Sequence, residues 1–170
     1  AHVTLVNASV SVEPPMFVDV VNVTSAADMA DVVKSKAAEQ DIIIMTAAVA
    51  DFCPSHPADE KIKKNDSSYE SVIELERTED ILSYLGAHKA KGQLICGFSM
   101  ETQNMLENSK AKLAKKNADM IVGNNLKVAG AGFGTDTNVV TLITADDCTE
   151  LEIMDKSCVA ARIMDRLLKM

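Results

Sequence analysis

Short apolar runs alternate with amphipathic segments along most of the chain. Strands are predicted where these runs are bounded by turn-forming or polar residues, at 3–6, 17–23, 41–45, 93–98 and 119–122. The run at 41–45 is apolar almost throughout, which is typical of a parallel strand covered on both faces. Residues 69–76 alternate between apolar and polar positions, which predicts a half-solvated strand.

Helices are predicted between these strands because apolar residues recur there on one helical face. Ser25 is predicted to cap the first helix, and Asp28 completes a capping box. Thr78 is predicted to cap the second, with two acidic residues following at its positive end. A third helix is predicted around 105–113, and Ser157 is predicted to cap the last one.

The pattern changes after residue 138. Residues 139–144 and 151–154 predict two strands of an antiparallel hairpin around a turn at 145–147. The segment 47–66 contains two prolines and is predicted to be a long loop. Strands that alternate with helices imply an α/β fold with a mainly parallel sheet, and the hairpin implies a mixed edge.

Composition and charge fit one globular domain over residues 1–170. The net charge of -8 argues against a general nucleic-acid surface. No apolar stretch reaches the roughly 18 residues that a membrane span needs. The four cysteines have neither zinc nor redox spacing, and we interpret them as reduced thiols of a cytoplasmic protein.

Candidate ligand-binding groups follow two of the predicted strands, where ligands of open α/β sheets bind. Small residues at 46–50 allow close approach to the backbone, and Asp51 can accept hydrogen bonds from ribose hydroxyls. The alternative is a tight turn with a surface acid. At the end of the other strand, Phe98 can lie against a nucleobase or belong to the core, and Glu101 can coordinate Mg²⁺ or orient a lysine.

Two groups of lysines are candidates for phosphate binding. Lys61, Lys63 and Lys64 lie together in the predicted loop and can hold a triphosphate. Lys112 and Lys116 are four residues apart on a predicted helix and therefore share a face. For both groups the alternative is a set of charges that simply face water.

Two further patterns restrict the chemistry. The glycine-rich segment at 130–138 precedes a strand and not a helix, so it does not fit a dinucleotide fingerprint, and we predict a flexible loop that can close over a site. No Ser/His/Asp or Cys/His arrangement is visible in the sequence. Covalent catalysis by the protein is therefore not expected.

Taken together and in order, the motifs of this chain resemble those of one enzyme family. They are AAVADF, EKIKK, T-x-D-I-L, GF-x-x-ET, K-x-x-x-K, A-D-x-I-V-x-N and FG-x-D-x-N-x-V. The chain resembles the synthetase domain of bacterial phosphopantothenoylcysteine synthetases over almost its whole length. Each motif is weak alone, and the ordered set is specific.

The resemblance implies a Rossmann-like α/β fold with flanking helices and an antiparallel, strand-rich dimerisation part. It implies a CTP-dependent phosphopantothenate–cysteine ligase of coenzyme A biosynthesis. The carboxylate of 4′-phosphopantothenate attacks the α-phosphate of CTP, and the amine of L-cysteine then displaces CMP from the acyl-cytidylate. Such enzymes require Mg²⁺, form homodimers in the cytoplasm and often follow a flavin-dependent decarboxylase, so FMN is expected only if that domain is present.

The resemblance also implies roles for individual residues. It ties Lys61 to formation of the acyl-cytidylate, and it assigns no metal ligand. The expected contacts of CTP are Met45, Thr46 and Ala47 for the cytosine, Asp51 for the sugar, Glu79, Asp80, Ile81, Leu82 and Phe98 for the pocket wall, and Lys61, Lys112 and Lys116 for the phosphates.

This chain departs from the family pattern in two places. Glu79 stands where the family usually has proline. The family also has a glycine-rich strand–loop–helix with an Asn-x-Ser-Ser-Gly stretch that holds phosphopantothenate, and these 170 residues do not contain it. We therefore expect the 170-residue chain alone to bind CTP weakly and to form no product.

Two other functions stay open from the sequence. A Rossmann-like architecture is shared by NAD(P)-dependent oxidoreductases, although no G-x-G-x-x-G lies between a strand and a helix here. A non-catalytic dimerisation module is the second alternative. Binding of NAD(P) would favour the oxidoreductase, and binding of no nucleotide would favour the dimerisation module.

Overall fold

The computed structural model describes residues 1–8, 10, 12–58, 60–61, 72–101, 104–125 and 134–170. Within these residues no helix is long and apolar enough to cross a membrane. The helices are α1 (Ala26–Ala37), α2 (Ile81–Ala87), α3 (Met105–Lys116) and α4 (Lys156–Leu167). The strands are β1 (Thr4–Ala8), β2 (Asp19–Val23), β3 (Ile42–Met45), β4 (Phe52–Pro54), β5 (Leu75–Arg77), β6 (Leu94–Glu101), β7 (Met120–Asn125), β8 (Thr137–Asn138), β9 (Val140–Ile143), β10 (Cys148–Glu150) and β11 (Met154–Asp155).

The chain divides into two units, and the division falls within α1. The first unit consists of Ala1–Val32 and Ala48–Asp80, and the second of Val33–Ala47 and Ile81–Met170. In the first unit β1 pairs with β2 in parallel, and β4 pairs with β5 in antiparallel fashion. The start of α1 is fixed by its capping box, since Asp28 N–H donates to Ser25 Oγ at 3.1 Å and Asp28 Oδ2 accepts from Ser25 N–H at 3.0 Å.

The second unit is built on a five-stranded sheet of order β10-β9-β7-β6-β3. Strands β3, β6 and β7 are parallel, and β9 and β10 add an antiparallel edge. Because side chains alternate across a strand, Cys96, Met120 and Val122 point to one face and pack with the apolar side of α4. Ile121 and the positions of Gly97 and Gly123 point to the other face, towards α2 and α3.

The predicted α/β class with a mainly parallel sheet and an antiparallel part is confirmed. So are the strands around 3–6, 17–23, 41–45, 93–98 and 119–122 and the helices between them, with shifts of one to three residues at most ends. The predicted strand at 69–76 is found in part, as Leu75–Arg77, and residues 69–71 lie outside the described part of the chain. The four cysteines are free thiols.

Two predictions about local structure are wrong. The segment 47–66 contains a strand, β4, because its backbone pairs with β5 across a long sequence separation. The hairpin partner of β9 is Cys148–Glu150 and not 151–154, since Thr144 N–H donates to Asp147 O at 2.8 Å and closes a tighter turn. Residues Met154–Asp155 pair instead with β8.

Two predicted helix caps are also wrong. Helix α4 begins at Lys156, with Asp155 as its N-cap, and Ser157 lies inside it. Asp155 makes no side-chain cap hydrogen bond, and the first N–H of α4, that of Lys156, donates to the Asp136 carbonyl at 2.9 Å. Thr78 does not cap α2, which begins at Ile81, because the Thr78 hydroxyl donates to the Ala50 carbonyl.

Candidate functional site

Gly97 in β6 brings two of the predicted site residues to one place. It pairs with Met45 at the end of β3 and with Ile121 in β7. A Cβ added at Gly97 would lie 2.7 Å from Leu82 Cδ2 and 3.0 Å from Ile121 Cδ1, which is closer than side chains approach one another. The missing side chain therefore lets Leu82 of α2 reach the sheet beside the strand that carries Met45.

Lys112 is held against the carboxyl half of β6. Its Nζ donates to the Phe98 carbonyl at 2.8 Å, which is its only partner among the residues that the structure describes. One turn earlier, the buried Ser109 shares a 2.7 Å hydrogen bond with the buried Ser99 of β6. This serine pair fixes α3 on the strand, so the ammonium group of Lys112 has a defined position.

Lys116 is held by the other helix of this face. Its Nζ donates to Ser83 Oγ at 2.9 Å. The two helices approach closely at Gly86, where an added Cβ would overlap the carbonyl oxygen of Lys116, and Asn117 Nδ2 donates to Gly86 O at 2.7 Å. Within the second unit, Met45 and Leu82 therefore meet at Gly97 of β6 and Lys112 is held at Phe98, while Lys116 is held on α2.

The side chain of Phe98 has a different environment from its backbone. It is half-buried and packs against the apolar cluster under α4, while its carbonyl faces Lys112. Ile81 is buried as well, with 4% of its surface exposed. Of the predicted pocket wall, these two side chains are therefore used in packing.

Cys96 precedes Gly97 and is fully buried. Burial, with a smaller effect from the nearby Asp119 carboxylate, raises the pKa of the Cys96 thiol to about 12. Asp119 accepts hydrogen bonds from Ile95 N–H at 2.7 Å and from Lys89 Nζ at 2.8 Å, so it is held in place. The thiol of Cys96 stays protonated at neutral pH and is not a nucleophile.

Asp51 and Thr78, the first residue of the T-x-D-I-L motif, are linked in the first unit. Thr78 N–H donates to Asp51 O at 3.0 Å, and the Thr78 hydroxyl donates to Ala50 O. The side chains of Asp51 and Glu79 are exposed on either side of this link. Sequence reasoning assigned Thr78 to a helix cap and missed that it joins two of the motifs.

A second link between motifs was also missed. Asn138 Nδ2 donates to Asn124 Oδ1 at 2.8 Å, and Asn138 Oδ1 accepts from Val139 N–H at 2.9 Å. These are the asparagines of the A-D-x-I-V-x-N and FG-x-D-x-N-x-V motifs. Polar residues that recur in separate motifs are the signal that could have predicted this contact.

Other predicted residues are described only in part. Thr46, Ala47 and Asp80 are exposed, and Lys61 is exposed at the end of a described stretch. Among the described residues no group of three or more His, Cys, Asp or Glu side chains could hold a metal ion. The residues that lie outside the described part are Lys63, Lys64, the side chain of Glu101 and residues 130–133.

Comparison with known proteins places this arrangement in a family. The sequence profile of the DNA/pantothenate metabolism flavoprotein C-terminal domain matches residues 1–170. The chain belongs to this family. Its members include the coenzyme A biosynthesis bifunctional protein CoaBC of Bacillus subtilis (strain 168), which is 44% identical over 169 residues, 98% of this chain and 41% of CoaBC.

A second relative has a different name. It is a cysteine/cysteine sulfinic acid decarboxylase from an unknown prokaryotic organism, 44% identical over 170 residues, 99% of this chain and 47% of that protein. The chain thus spans less than half the length of these two curated relatives. Names of the whole proteins do not by themselves say what this part does.

Solved structures agree with the family. The crystal structure of the C-terminal domain of CoaBC superposes with a TM-score of 0.81 at 40% identity, covering 99% of this chain and 76% of that one. A Cab2 variant in complex with phosphopantothenate-cysteine has a TM-score of 0.64 at 18% identity, covering 90% of this chain and 54% of that one, and shares the fold.

In this member of the family, helix α3 carries two lysines that each donate a hydrogen bond to a neutral oxygen atom, Lys112 to β6 and Lys116 to α2. The Phe98 carbonyl and the Ser83 hydroxyl are uncharged, so these two hydrogen bonds position the ammonium groups without adding a negative charge. Fixed cations beside the ends of parallel strands can bind the phosphates of a nucleotide and stabilise charge that develops on them. This is the chemistry that the arrangement favours.

Proposed function

We propose that this chain is the part of a phosphopantothenate–cysteine ligase that binds CTP. The observation that carries the proposal is that Met45 and Leu82 meet at Gly97 of β6 while Lys112 is held at the next residue, Phe98, in a chain 40% identical to the C-terminal domain of CoaBC. Lys116, one turn further along α3, is held on α2 at Ser83. The shared fold of a Cab2 variant that binds phosphopantothenate-cysteine supports it further.

The proposed reaction has two steps. The carboxylate of 4′-phosphopantothenate attacks the α-phosphate of CTP, forming an acyl-cytidylate and releasing pyrophosphate. The amine of L-cysteine then attacks the acyl carbon, CMP leaves, and the amide is formed. A carboxylate that approaches a polyphosphate is repelled by it, so cations placed at the phosphates lower the barrier.

The residues divide between these tasks. Lys112 and Lys116 hold the phosphates, since their positions are fixed before the nucleotide arrives. Lys61, which is exposed, offsets the charge that develops as the acyl-cytidylate forms. The backbone at 45–47 meets the cytosine, Asp51 the sugar, and residues 79–82 and Phe98 the pocket wall.

Mg²⁺ does not fit a protein-built site in the described residues, because these contain no cluster of three acidic or histidine side chains. An ion that accompanies the nucleotide, held mainly by phosphates and water, needs fewer protein ligands. No step of the proposed reaction is assigned to the metal. FMN belongs to a decarboxylase domain and has no role in this part of the protein.

The proposed ligase also forms homodimers in the cytoplasm. Four apolar side chains on or beside the β4–β5 pair are more than half exposed, namely Phe52, Val72, Ile73 and Leu75. An exposed apolar patch beside a strand edge is expected to be covered by a partner subunit. We expect a dimer mass by light scattering at micromolar concentration. Leu75→Glu should shift the mass to that of a monomer, whereas Val12→Glu, also at an exposed valine, should not; a wild-type monomer would contradict the dimer.

Nucleotide-dependent stabilisation tests the proposed function. CTP should raise the melting temperature of the chain, ATP should do so less, and NADPH should have no effect. At a CTP concentration ten times Kd the stabilisation is about 1.4 kcal/mol, or roughly 3–6 °C for a chain of this size. Lys112→Met and Lys116→Met should each weaken the CTP effect.

Lys115→Met provides the matched control, because Lys115 is an exposed neighbour on the same helix. It should leave the CTP effect unchanged. An equal loss in all three variants would mean that general charge and not position matters. Stabilisation by NADPH alone would favour an oxidoreductase, and no response to any nucleotide would favour a dimerisation module.

A further inference from the structure

A pair of buried hydroxyl groups joins α3 to the sheet. The side-chain oxygen atoms of Ser99 in β6 and Ser109 in α3 lie 2.7 Å apart. Ser109 is fully buried, and Ser99 has 4% of its surface exposed. Within the described part of the chain neither hydroxyl has another hydrogen-bond partner, so each depends on the other. The pair is therefore one directional link between the helix and the strand.

The chemistry of this link differs from that of an apolar contact. Serine inside a helix is less favourable than alanine, because its hydroxyl competes for hydrogen bonds with the backbone. A hydrogen bond has a preferred length and angle. Apolar contacts between packed elements allow small sliding movements. The hydroxyl pair therefore restricts both the height and the rotation of α3 on β6.

Lys112 lies directly beside this link. Ser109 and Lys112 are three residues apart and share a face of α3. On the strand, Ser99 follows Phe98, whose carbonyl accepts the hydrogen bond from Lys112 Nζ at 2.8 Å. Two successive residues of β6 thus contact two residues on one turn of α3. A movement of the helix that breaks the first contact also displaces the ammonium group.

The two ends of α3 do not orient it on β6 in this way. Its N-cap residue, Asn104, makes no side-chain cap hydrogen bond. Met105 rests on Gly123 of β7, where an added Cβ would lie 2.6 Å from the methionine sulfur, but a thioether is flexible and gives little direction. The hydrogen bonds at the carboxyl end of α3 join it to α2 and not to β6. The serine pair therefore determines the placement of α3 at Lys112.

We propose that Ser99 and Ser109 are positioning residues for the phosphates of CTP. They do not touch the nucleotide, and they act by holding Lys112 where its ammonium group meets a phosphate. This inference rests on the proposed function and adds two residues to its nucleotide site.

A double-mutant cycle between Ser109 and Lys112 tests this role. The Kd of CTP is measured by calorimetry for the wild-type chain, for Ser109→Ala, for Lys112→Met and for the chain with both substitutions. Ser109→Ala should raise Kd roughly threefold to tenfold, which corresponds to the cost of ordering one long side chain on binding. In the Lys112→Met background the same substitution should leave Kd unchanged, because the group that it positions is gone.

Thr144→Val provides the matched control. Thr144 is a buried residue directly after β9, and its hydroxyl bonds to the backbone of Asp147. Both Thr144→Val and Ser109→Ala remove one buried hydroxyl and should lower the melting temperature by a few degrees. Only Ser109→Ala should weaken CTP binding, so lower stability alone would not explain the change in Kd.

Three results would overturn the positioning role while the CTP site itself stands. They are an unchanged Kd in Ser109→Ala, an effect of equal size in the Lys112→Met background, and an equal loss of affinity in Thr144→Val. A wild-type chain that bound no CTP would refute the proposed function and this inference together.

Discussion

Replacement of Gly86 by alanine tests whether the contact between α2 and α3 positions Lys116. Gly86 is buried in α2, and a Cβ there would overlap the Lys116 carbonyl oxygen and lie 2.9 Å from the carbonyl carbon. These are backbone atoms, so no change of rotamer relieves the clash. The helices must move apart, and the Asn117–Gly86 hydrogen bond and the Lys116–Ser83 contact would lengthen.

The size of the effect follows from three contributions. Overpacking against a backbone costs about 2–3 kcal/mol. Loss of the Asn117–Gly86 hydrogen bond costs about 1 kcal/mol. Alanine is favoured over glycine inside a helix by about 1 kcal/mol, which opposes the other two. The net loss in the free energy of unfolding is therefore about 2–3 kcal/mol.

Urea unfolding at neutral pH measures this loss, and the CTP-dependent shift in melting temperature reports on the site. Gly86→Ala should lower both. Ala111→Gly, at an exposed position in α3, supplies the helix-propensity difference without a change in packing and should destabilise the chain by about 1 kcal/mol or less. If Gly86→Ala stabilised the protein, the close approach of the two helices would be refuted.

Three further results are expected. In the full-length protein Lys61→Ala should slow pyrophosphate release by on the order of 3 kcal/mol in the barrier, with an unchanged melting temperature; normal release would contradict its role. Hydrogen bonds from Ser25 and Thr24 lower the pKa of Asp28 below 3.8. The destabilisation by Asp28→Asn should therefore be full above about pH 4 and vanish as the pH falls further. Asp146→Asn is the control and should have little effect on stability. A thiol reagent at pH 8 should modify the exposed Cys158 quickly and the buried Cys96 only on unfolding; rapid labelling of both would refute the burial of Cys96.

The parallel sheet could be predicted because its strands have a local signal. Residues 42–45 are apolar throughout, and β2 and β6 are each followed directly by a helix. The capping box at Ser25 was equally local, since its two partners are three residues apart. Patterns of this kind depend on neighbours in sequence and survive in the folded protein.

The features that were missed depend on partners far away in sequence. Phe52–Pro54 forms a strand only because Leu75–Arg77 pairs with it. The sequence pattern at Thr78 predicts a helix cap, but its hydroxyl donates a hydrogen bond to the carbonyl of Ala50, 28 residues earlier in the chain. Propensity and periodicity contain no information about such contacts, so tertiary pairing overrides the local signal.

The lysines of α3 show how local sequence spacing and tertiary contacts combine. Spacing alone predicts that Lys112 and Lys116 share a helical face, and it favours two solvated charges as readily as a binding site. The structure distinguishes the two cases, since Lys112 and Lys116 are half-buried residues whose ammonium groups donate hydrogen bonds of 2.8 and 2.9 Å. A free lysine side chain loses up to about 2 kcal/mol of conformational entropy when a ligand fixes it, and part of that loss has already occurred here on folding. A phosphate that meets these two groups is therefore bound more tightly than it would be by two mobile lysines with the same charge.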